Sequence, residues 1–290
     1  MSNNIVIFLN GQRGVVILES LLQAGRSIVA VVAPEESCFW EISIKYADQN
    51  LIKTTQVNHP DIIQRLSDLT PDVFIVAGFP MIFKKPLLSV PKRGVFNLHG
   101  GPLPKYRGGS PLNWQIINGE TEIGVSVISM DAGIDTGDIL AQDFFELTVF
   151  DDIHTVHQKA NTCFSKLILD VLTKMDNNQL ESKKQNAYEA QYWLQRSSKE
   201  GRIDWKNMTA KQVVNLIRAL KPPYPSAFTF TDAQKIFLYE AIVPDKIIKG
   251  TPGRVAYLQT LGPYIVCKDH AILVTQSSGK LKNGALLDAD

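Results

Sequence analysis

Two residue types suited to carbonyl chemistry stand two positions apart at Asn97 and His99, within VFNLHGGPLPKYR at residues 95–107. Side chains two apart on an extended strand share a side, so an amide that can donate hydrogen bonds sits beside an imidazole that can take a proton. Imidazole is the side chain whose charge ordinarily changes nearest neutrality, which suits it to general-base work. An amide N–H can hold an oxygen on which negative charge develops as a carbonyl is attacked. Asp135, in the Gly-spaced turn DAGIDTG at 131–137, is a natural third member, a carboxylate that orients the imidazole and stabilises its charged form. No Ser or Cys has the setting of a nucleophile, so the chemistry calls for direct attack without a covalent enzyme intermediate.

The elements that must position these residues follow from apolar periodicity. Val95, Phe96 and Leu98 form a strand that two glycines and two prolines stop abruptly after His99. Upstream, apolar runs at 5–9 and 28–32 flank a helical pattern through Val15, Leu18 and Leu22, which predicts a parallel βαβ unit. Its first turn, GQRG, is not the GxGxxG fingerprint of a dinucleotide site. A helix over 38–49, a strand over 51–54 and a helix over 58–69 capped by Asn58 come next, then a buried parallel strand over 72–78, apolar at nearly every position. Ser110 and Pro111 open a short helix to Asn118. Alternating runs at 123–130 and 139–147 predict a hairpin whose loop carries Asp135 back toward His99, with Gly133 and Gly137 supplying positive φ. Asp151 or Asp152 caps a long amphipathic helix containing Ile153, Val156, Phe164, Leu167, Ile168 and Val171. Residues 176–201 are polar and read as a linker, with Tyr192 and Trp193 packing it against the first domain. Thr209 and Gln212 form a capping box for a helix that KPPYPS must end, and short β runs at 228–230, 236–239, 254–257, 264–268 and 271–275 predict a small β-barrel. The expected fold is α/β: a Rossmann-like, mostly parallel sheet over 1–190 and a smaller β domain over 200–290. Ligands of such sheets bind beyond the carboxyl ends of the strands, where His99 falls.

The motif resembles that of the folate-dependent formyltransferases, which act on glycinamide ribonucleotide, methionyl-tRNA or nucleotide-linked amino sugars. The family signature HxSLLPxxxG is present as HGGPLPKYRG: His99, Leu103, Pro104 and Gly108 match, while Gly101 stands for the usual Ser and Pro102 for the first Leu. RSSKEGRIDW at 196–205 and RALKPPYPSAF at 218–228 resemble the family's second domain, so the likeness covers nearly the whole chain, and the second domain is implied to be OB-like. The resemblance implies that Asn97, His99 and Asp135 are catalytic and that the formyl donor is N10-formyltetrahydrofolate. The loop Phe79, Met81 and Ile82 would hold the pterin ring through backbone groups, and Leu103, Asp131, Gly133 and Ile134 would complete the folate site. Without the likeness, an apolar loop after a strand reads as core edge and Asp135 as an exposed loop carboxylate. KYRG, PLNW and NGETEIGV are most similar to sugar formyltransferases, implying a nucleotide-linked deoxyamino sugar as acceptor. Arg13 and Tyr224 are assigned to the acceptor side, Arg13 otherwise being a solvated loop arginine. Lys105, Tyr106 and Arg107 read equally as acceptor contacts and as an exposed basic loop.

Composition narrows the alternatives. Net charge is +1, but residues 1–194 hold 16 Lys/Arg against 21 Asp/Glu and residues 195–290 hold 14 against 8. The excess of 6 basic residues in the second part is scattered, so nucleic acid is not expected as a partner. A methionyl-tRNA formyltransferase, the rival reading, calls for a basic insertion in the first domain, and between Ala33 and Asn50 the only basic residue is Lys45. A catalytically silent binding protein on the same scaffold is the rival of another class. Cys38, Cys163 and Cys267 are too few and too far apart for a disulfide framework or metal cluster and read as reduced thiols. His154 and His157 share a helix face without a third ligand, and no metal is expected. The N-terminus lacks a signal peptide and no apolar run reaches the roughly 18 residues a membrane span needs, so a cytoplasmic, non-membrane protein is expected. Apolar C-terminal β runs could form a homodimer surface.

Overall fold

A computed structural model describes residues 3–35, 50–231, 234–258 and 261–288. The helix expected over 38–49 lies outside the described residues. The chain divides into two units, Met1–Pro111 with Gly124–Phe145 and His157–Trp193, and Leu112–Ile123 with Glu146–Val156 and Leu194–Asp290.

The first unit is built on strands β1 (Asn4–Leu9), β2 (Ser27–Ala33), β3 (Leu51–Lys53), β4 (Val73–Ala77), β5 (Val95–His99), β7 (Glu122–Ser129) and β8 (Ile139–Glu146), with the short β6 (Arg107–Gly108) outside that sheet. The sheet order is β3-β2-β1-β4-β5-β7-β8, parallel through β5. Helix α1 (Gly11–Gln23) makes the first crossover, as the apolar spacing requires. Every residue of β4 is buried, as expected of a strand covered on both faces. At β5 the sheet changes character, because β5 pairs parallel with β4 but antiparallel with β7. Four interlocked rings, Phe8 against Phe74, Phe79 and Phe83 at 5.0, 5.5 and 4.7 Å, anchor the loop after β4 from beneath. Burying a side chain of that size is worth roughly 1.5–3 kcal/mol, enough to hold the loop in one place.

Several local expectations are corrected. The cap of α2 (Pro60–Asp68) is His59, whose Nδ1 accepts from the Asp61 N–H. Asn58 instead clamps the loop after β4, donating to the Ile82 carbonyl and accepting from the Lys84 N–H, both at 2.8 Å. That loop runs into the four-residue α3 (Lys85–Leu88), and Pro111 opens α4 (Pro111–Asn118). Of the two candidate caps for α5 (Ile153–Asp176), Asp152 serves: Oδ1 accepts from the His154 and Thr155 N–H groups. Asp151 turns back to Thr148. Gly133 and Gly137 do not carry positive φ; Asp135 itself does, at +52°. Gly137 is required for space, since a Cβ there would lie 1.8 Å from the Ser129 carbonyl oxygen. The supposed linker is a strap: Lys183 bridges Ile139, and β9 (Tyr192–Trp193) pairs parallel with β6.

The second unit holds β10 (Ala227–Thr231), β11 (Gln234–Ile242), β12 (Val255–Leu258), β13 (Leu261–Val266) and β14 (Ala271–Ser277), an antiparallel sheet in the order β10-β11-β14-β13-β12. Helix α6 (Ala210–Ala219) carries the expected Thr209–Gln212 capping box. It buries Val213, Leu216 and Ile217, with Leu220 just past its end, among Trp205, Ile236, Ile265 and Ile272. Cys267 lies in this core, and burial pushes its thiol up to about 12. Among the described residues no helix is long and apolar enough to cross a membrane.

Candidate active site

Strand β5 delivers Asn97 and His99 to its carboxyl end, and the following loop folds straight back over His99. Tyr106 returns its backbone carbonyl to 2.6 Å from His99 Nε2. A carbonyl oxygen can only accept, so Nε2 carries the proton, and the neutral ring keeps its lone pair on Nδ1. Nδ1 faces Asp135 Oδ1 at 3.5 Å, with His99 only 5% exposed. Two acceptors thus face each other across a gap that a proton on Nδ1 would turn into a charge-assisted pair. The other carboxylate oxygen, Oδ2, accepts from the Gly108 N–H at 2.8 Å. Because Nε2 is committed to Tyr106, the ring has no donor left for a developing oxyanion. Among the described residues the Asn97 side chain has no hydrogen-bond partner, so its amide remains for that task.

The tight return leaves no room for a side chain at residue 101. A Cβ at Gly101 would sit 2.6 Å from Tyr106 Cβ and 3.0 Å from His99 Nε2, so no larger residue fits. Pro102 packs on Gly124, where a Cβ would lie 2.5 Å from the proline Cβ. Beneath the loop, the buried Ser126 hydroxyl donates to the Gly101 carbonyl and accepts from the Leu103 N–H and Gln142 Nε2. Gln142 Nε2 also donates to the Leu103 carbonyl at 3.1 Å.

The remaining expected site residues separate into three groups. Facing solvent are Ile82, 74% exposed, and Ile134, 59% exposed, together with Lys105, Asp131 and Gly133. Asp131 Oδ1 accepts from the Gly133 N–H and the Thr136 hydroxyl, which sets the turn. Held within the fold are Phe79 and Leu103, with Met81 packed at the edge of the core around Phe8. Tyr106 and Arg107 also lie here, which corrects the reading of an exposed basic loop. Tyr106 stacks on Trp193 at 5.5 Å, and Arg107 donates to Gln185 Oε1 and the Tyr192 hydroxyl. Arg13 is likewise no solvated loop residue. It projects from α1 over the Phe164 ring at 4.7 Å, and its guanidinium reaches Asn161 Oδ1 at 3.4 Å and the Leu98 carbonyl at 3.5 Å. A cation is thus fixed beside the end of β5. Tyr224, half-buried, belongs to the second unit. Among the described residues no three His, Cys, Asp or Glu side chains converge into a metal-ligand set.

Ser126, Gln142 and Gln185 were not legible as site residues. For Ser126 a signal exists, a hydroxyl at an inward position of the apolar run GVSVIS. Gln185 stands in a polar stretch and has none.

What the loops after β5 and β7 build is a place to develop charge on a carbonyl oxygen and a place to put a proton, the two needs of an enzyme that moves an acyl group by direct attack. Comparison with known proteins makes this specific. A family model described as "Formyl transferase" matches residues 4–172, and one described as "Formyl transferase, C-terminal domain" matches residues 196–285. The chain belongs to the formyl transferase family. It is 34% identical over 265 residues to a methionyl-tRNA formyltransferase of Caldanaerobacter subterraneus subsp. tengcongensis, covering 90% of this chain and 83% of that one. Among solved structures, an N-formyltransferase from Helicobacter canadensis, in complex with folinic acid and dTDP-3-aminofucose, shares the fold with a TM-score of 0.75 at 20% identity, over 96% of this chain and 100% of that one. HypX from Aquifex aeolicus shares it with a TM-score of 0.66 at 19% identity over 96% of this chain, which spans 46% of that longer protein.

Proposed function

We propose that the enzyme transfers a formyl group from N10-formyltetrahydrofolate to the primary amine of a nucleotide-linked deoxyamino sugar. The observation that carries the chemistry is the convergence of His99 and Asp135 beside an Asn97 amide that has no competing partner among the described residues. The chain's own residues fit a folate: exposed Ile82 and Ile134 offer apolar surface to a flat ring, and the loops 79–82 and 131–134 offer peptide groups to its polar edge. The donor supplies an activated formyl carbon. Asn97 stabilises the negative charge that builds on the formyl oxygen as the amine attacks. The amine proton passes to the His99–Asp135 pair, where Nδ1 holds it as half of an ion pair and returns it to the departing folate nitrogen. Arg13 provides a fixed positive charge for an anionic acceptor, and Lys105 an exposed one.

Support for a small acceptor comes from the full-length structural likeness to the Helicobacter canadensis enzyme, solved with dTDP-3-aminofucose. The lack of a basic cluster between Ala33 and Asn50 points the same way. A second reading, formylation of methionyl-tRNA, is favoured by the 34% identical relative. Turnover of N10-formyltetrahydrofolate with dTDP-3-aminofucose and other nucleotide-linked amino sugars, set against charged initiator tRNA, separates the two. Turnover only with tRNA would overturn the sugar assignment.

A further inference from the structure

The strap after α5 reaches the Asp135 turn through the Gln185 side chain. Gln185 Nε2 donates to the backbone carbonyls of Asp135 at 2.8 Å and Gly137 at 2.7 Å. Its Oε1 accepts from Arg107 Nε at 3.0 Å and Nη2 at 2.8 Å. The amide thereby makes four hydrogen bonds, its full ordinary complement. Both loops that supply Asp135 with its position meet on it. One is the left-handed turn containing Asp135, at φ +52°, a region non-glycine residues occupy sparsely. The other is the 107–108 segment, whose Gly108 N–H holds the Asp135 carboxylate. Arg107 is only 5% exposed and is tied on its far side to the Tyr192 hydroxyl of β9. The strap is in turn fixed by the Lys183–Ile139 bridge and the β6–β9 pairing.

We propose that Gln185 is a positioning residue for formyl transfer: it locks the Asp135 turn to the His99 loop and so sets the distance between carboxylate and imidazole. All four hydrogen bonds of its amide go to groups of the protein itself, so its loss should appear in kcat rather than in KM. The inference rests on the proposed role of Asp135, and the experiment keeps the two apart. Gln185→Ala and Gln185→Glu are compared with wild type using N10-formyltetrahydrofolate and whichever acceptor of the panel above the wild type formylates fastest. Gln185→Glu keeps an acceptor for Arg107 but sets an oxygen against the two carbonyls. Both variants should lose roughly 10²-fold in kcat, as a carboxylate misplaced by about an ångström would, with the KM of each substrate unchanged. In an Asp135→Asn background Gln185→Ala should cost nothing more, because residues acting through one group are not additive. Near wild-type kcat in Gln185→Ala, or a full additional loss on top of Asp135→Asn, overturns the positioning role. Wild-type turnover by Asp135→Asn alone overturns the site assignment as well.

Discussion

Gly101 lies in the tight return over His99, and replacing it with Ser should harm the protein. A Cβ at that position would stand 2.6 Å from Tyr106 Cβ, 2.9 Å from the Tyr106 carbonyl oxygen and 3.0 Å from His99 Nε2. The Tyr106 Cβ and carbonyl oxygen move only with their backbone, so the backbone at Tyr106 must move. Overpacking of this kind costs about 1–3 kcal/mol. The shift also breaks the Nε2–Tyr106 hydrogen bond, worth about 0.5–1.5 kcal/mol net, giving a destabilisation of roughly 1.5–4.5 kcal/mol. Urea unfolding of wild type, Gly101→Ala and Gly101→Ser should show both variants losing that amount with an unchanged m-value. The two should be alike, because the clash begins at Cβ and not at the hydroxyl. Formyl transfer should fall in both, since a freed imidazole no longer holds its proton-accepting nitrogen toward Asp135. A Gly101→Ser protein with wild-type stability and turnover would refute the reasoning.

Two further outcomes follow from the same geometry. Asn97→Ala should lose roughly 10²- to 10³-fold in kcat, the usual cost of one oxyanion donor, in steady-state assays at saturating donor, while its thermal midpoint stays near wild type. Burial pushes the Asp152 carboxyl up, but the Thr155 N–H, Lys221 at 3.1 Å and the His154 N–H outweigh it, leaving the group below its ordinary value. A carboxylate whose folded value is depressed stabilises the protein above its unfolded value near pH 3.9 and loses that contribution as pH falls through the folded value. Asp152→Asn, which keeps the cap but not the charge, should therefore lower the thermal midpoint at pH 7, and the difference from wild type should shrink as the pH falls below the unfolded value of about 3.9.

The parts of this fold that sequence reveals are those with local periodicity. The unbroken apolar run of β4 declares a strand buried on both faces, and the Thr209–Gln212 spacing declares a helix start. What escapes is set by contacts between distant segments. The β6–β9 pairing joins residues 85 apart with only two positions in each strand, too short for any pattern, and it is what buries Tyr106 and Arg107. The left-handed residue of the 131–137 turn is Asp135 because the Gln185 amide and the Gly108 N–H hold it there. A turn rich in glycine gives no hint that its aspartate takes the unusual conformation. The cap of α2 moved by one residue because Asn58 found partners at Ile82 and Lys84, far along the chain.

The single-turnover rate of formyl transfer in Asp135→Asn bears most directly on the site. The isosteric amide retains an oxygen for the Gly108 N–H but removes the charge that His99 Nδ1 faces at 3.5 Å. With saturating N10-formyltetrahydrofolate and an unaltered thermal midpoint, the rate should fall by roughly 10²- to 10⁴-fold, the worth of general acid–base catalysis. A folded Asp135→Asn enzyme that transfers formyl as fast as wild type would contradict the pairing of His99 with Asp135 as the source of the chemistry.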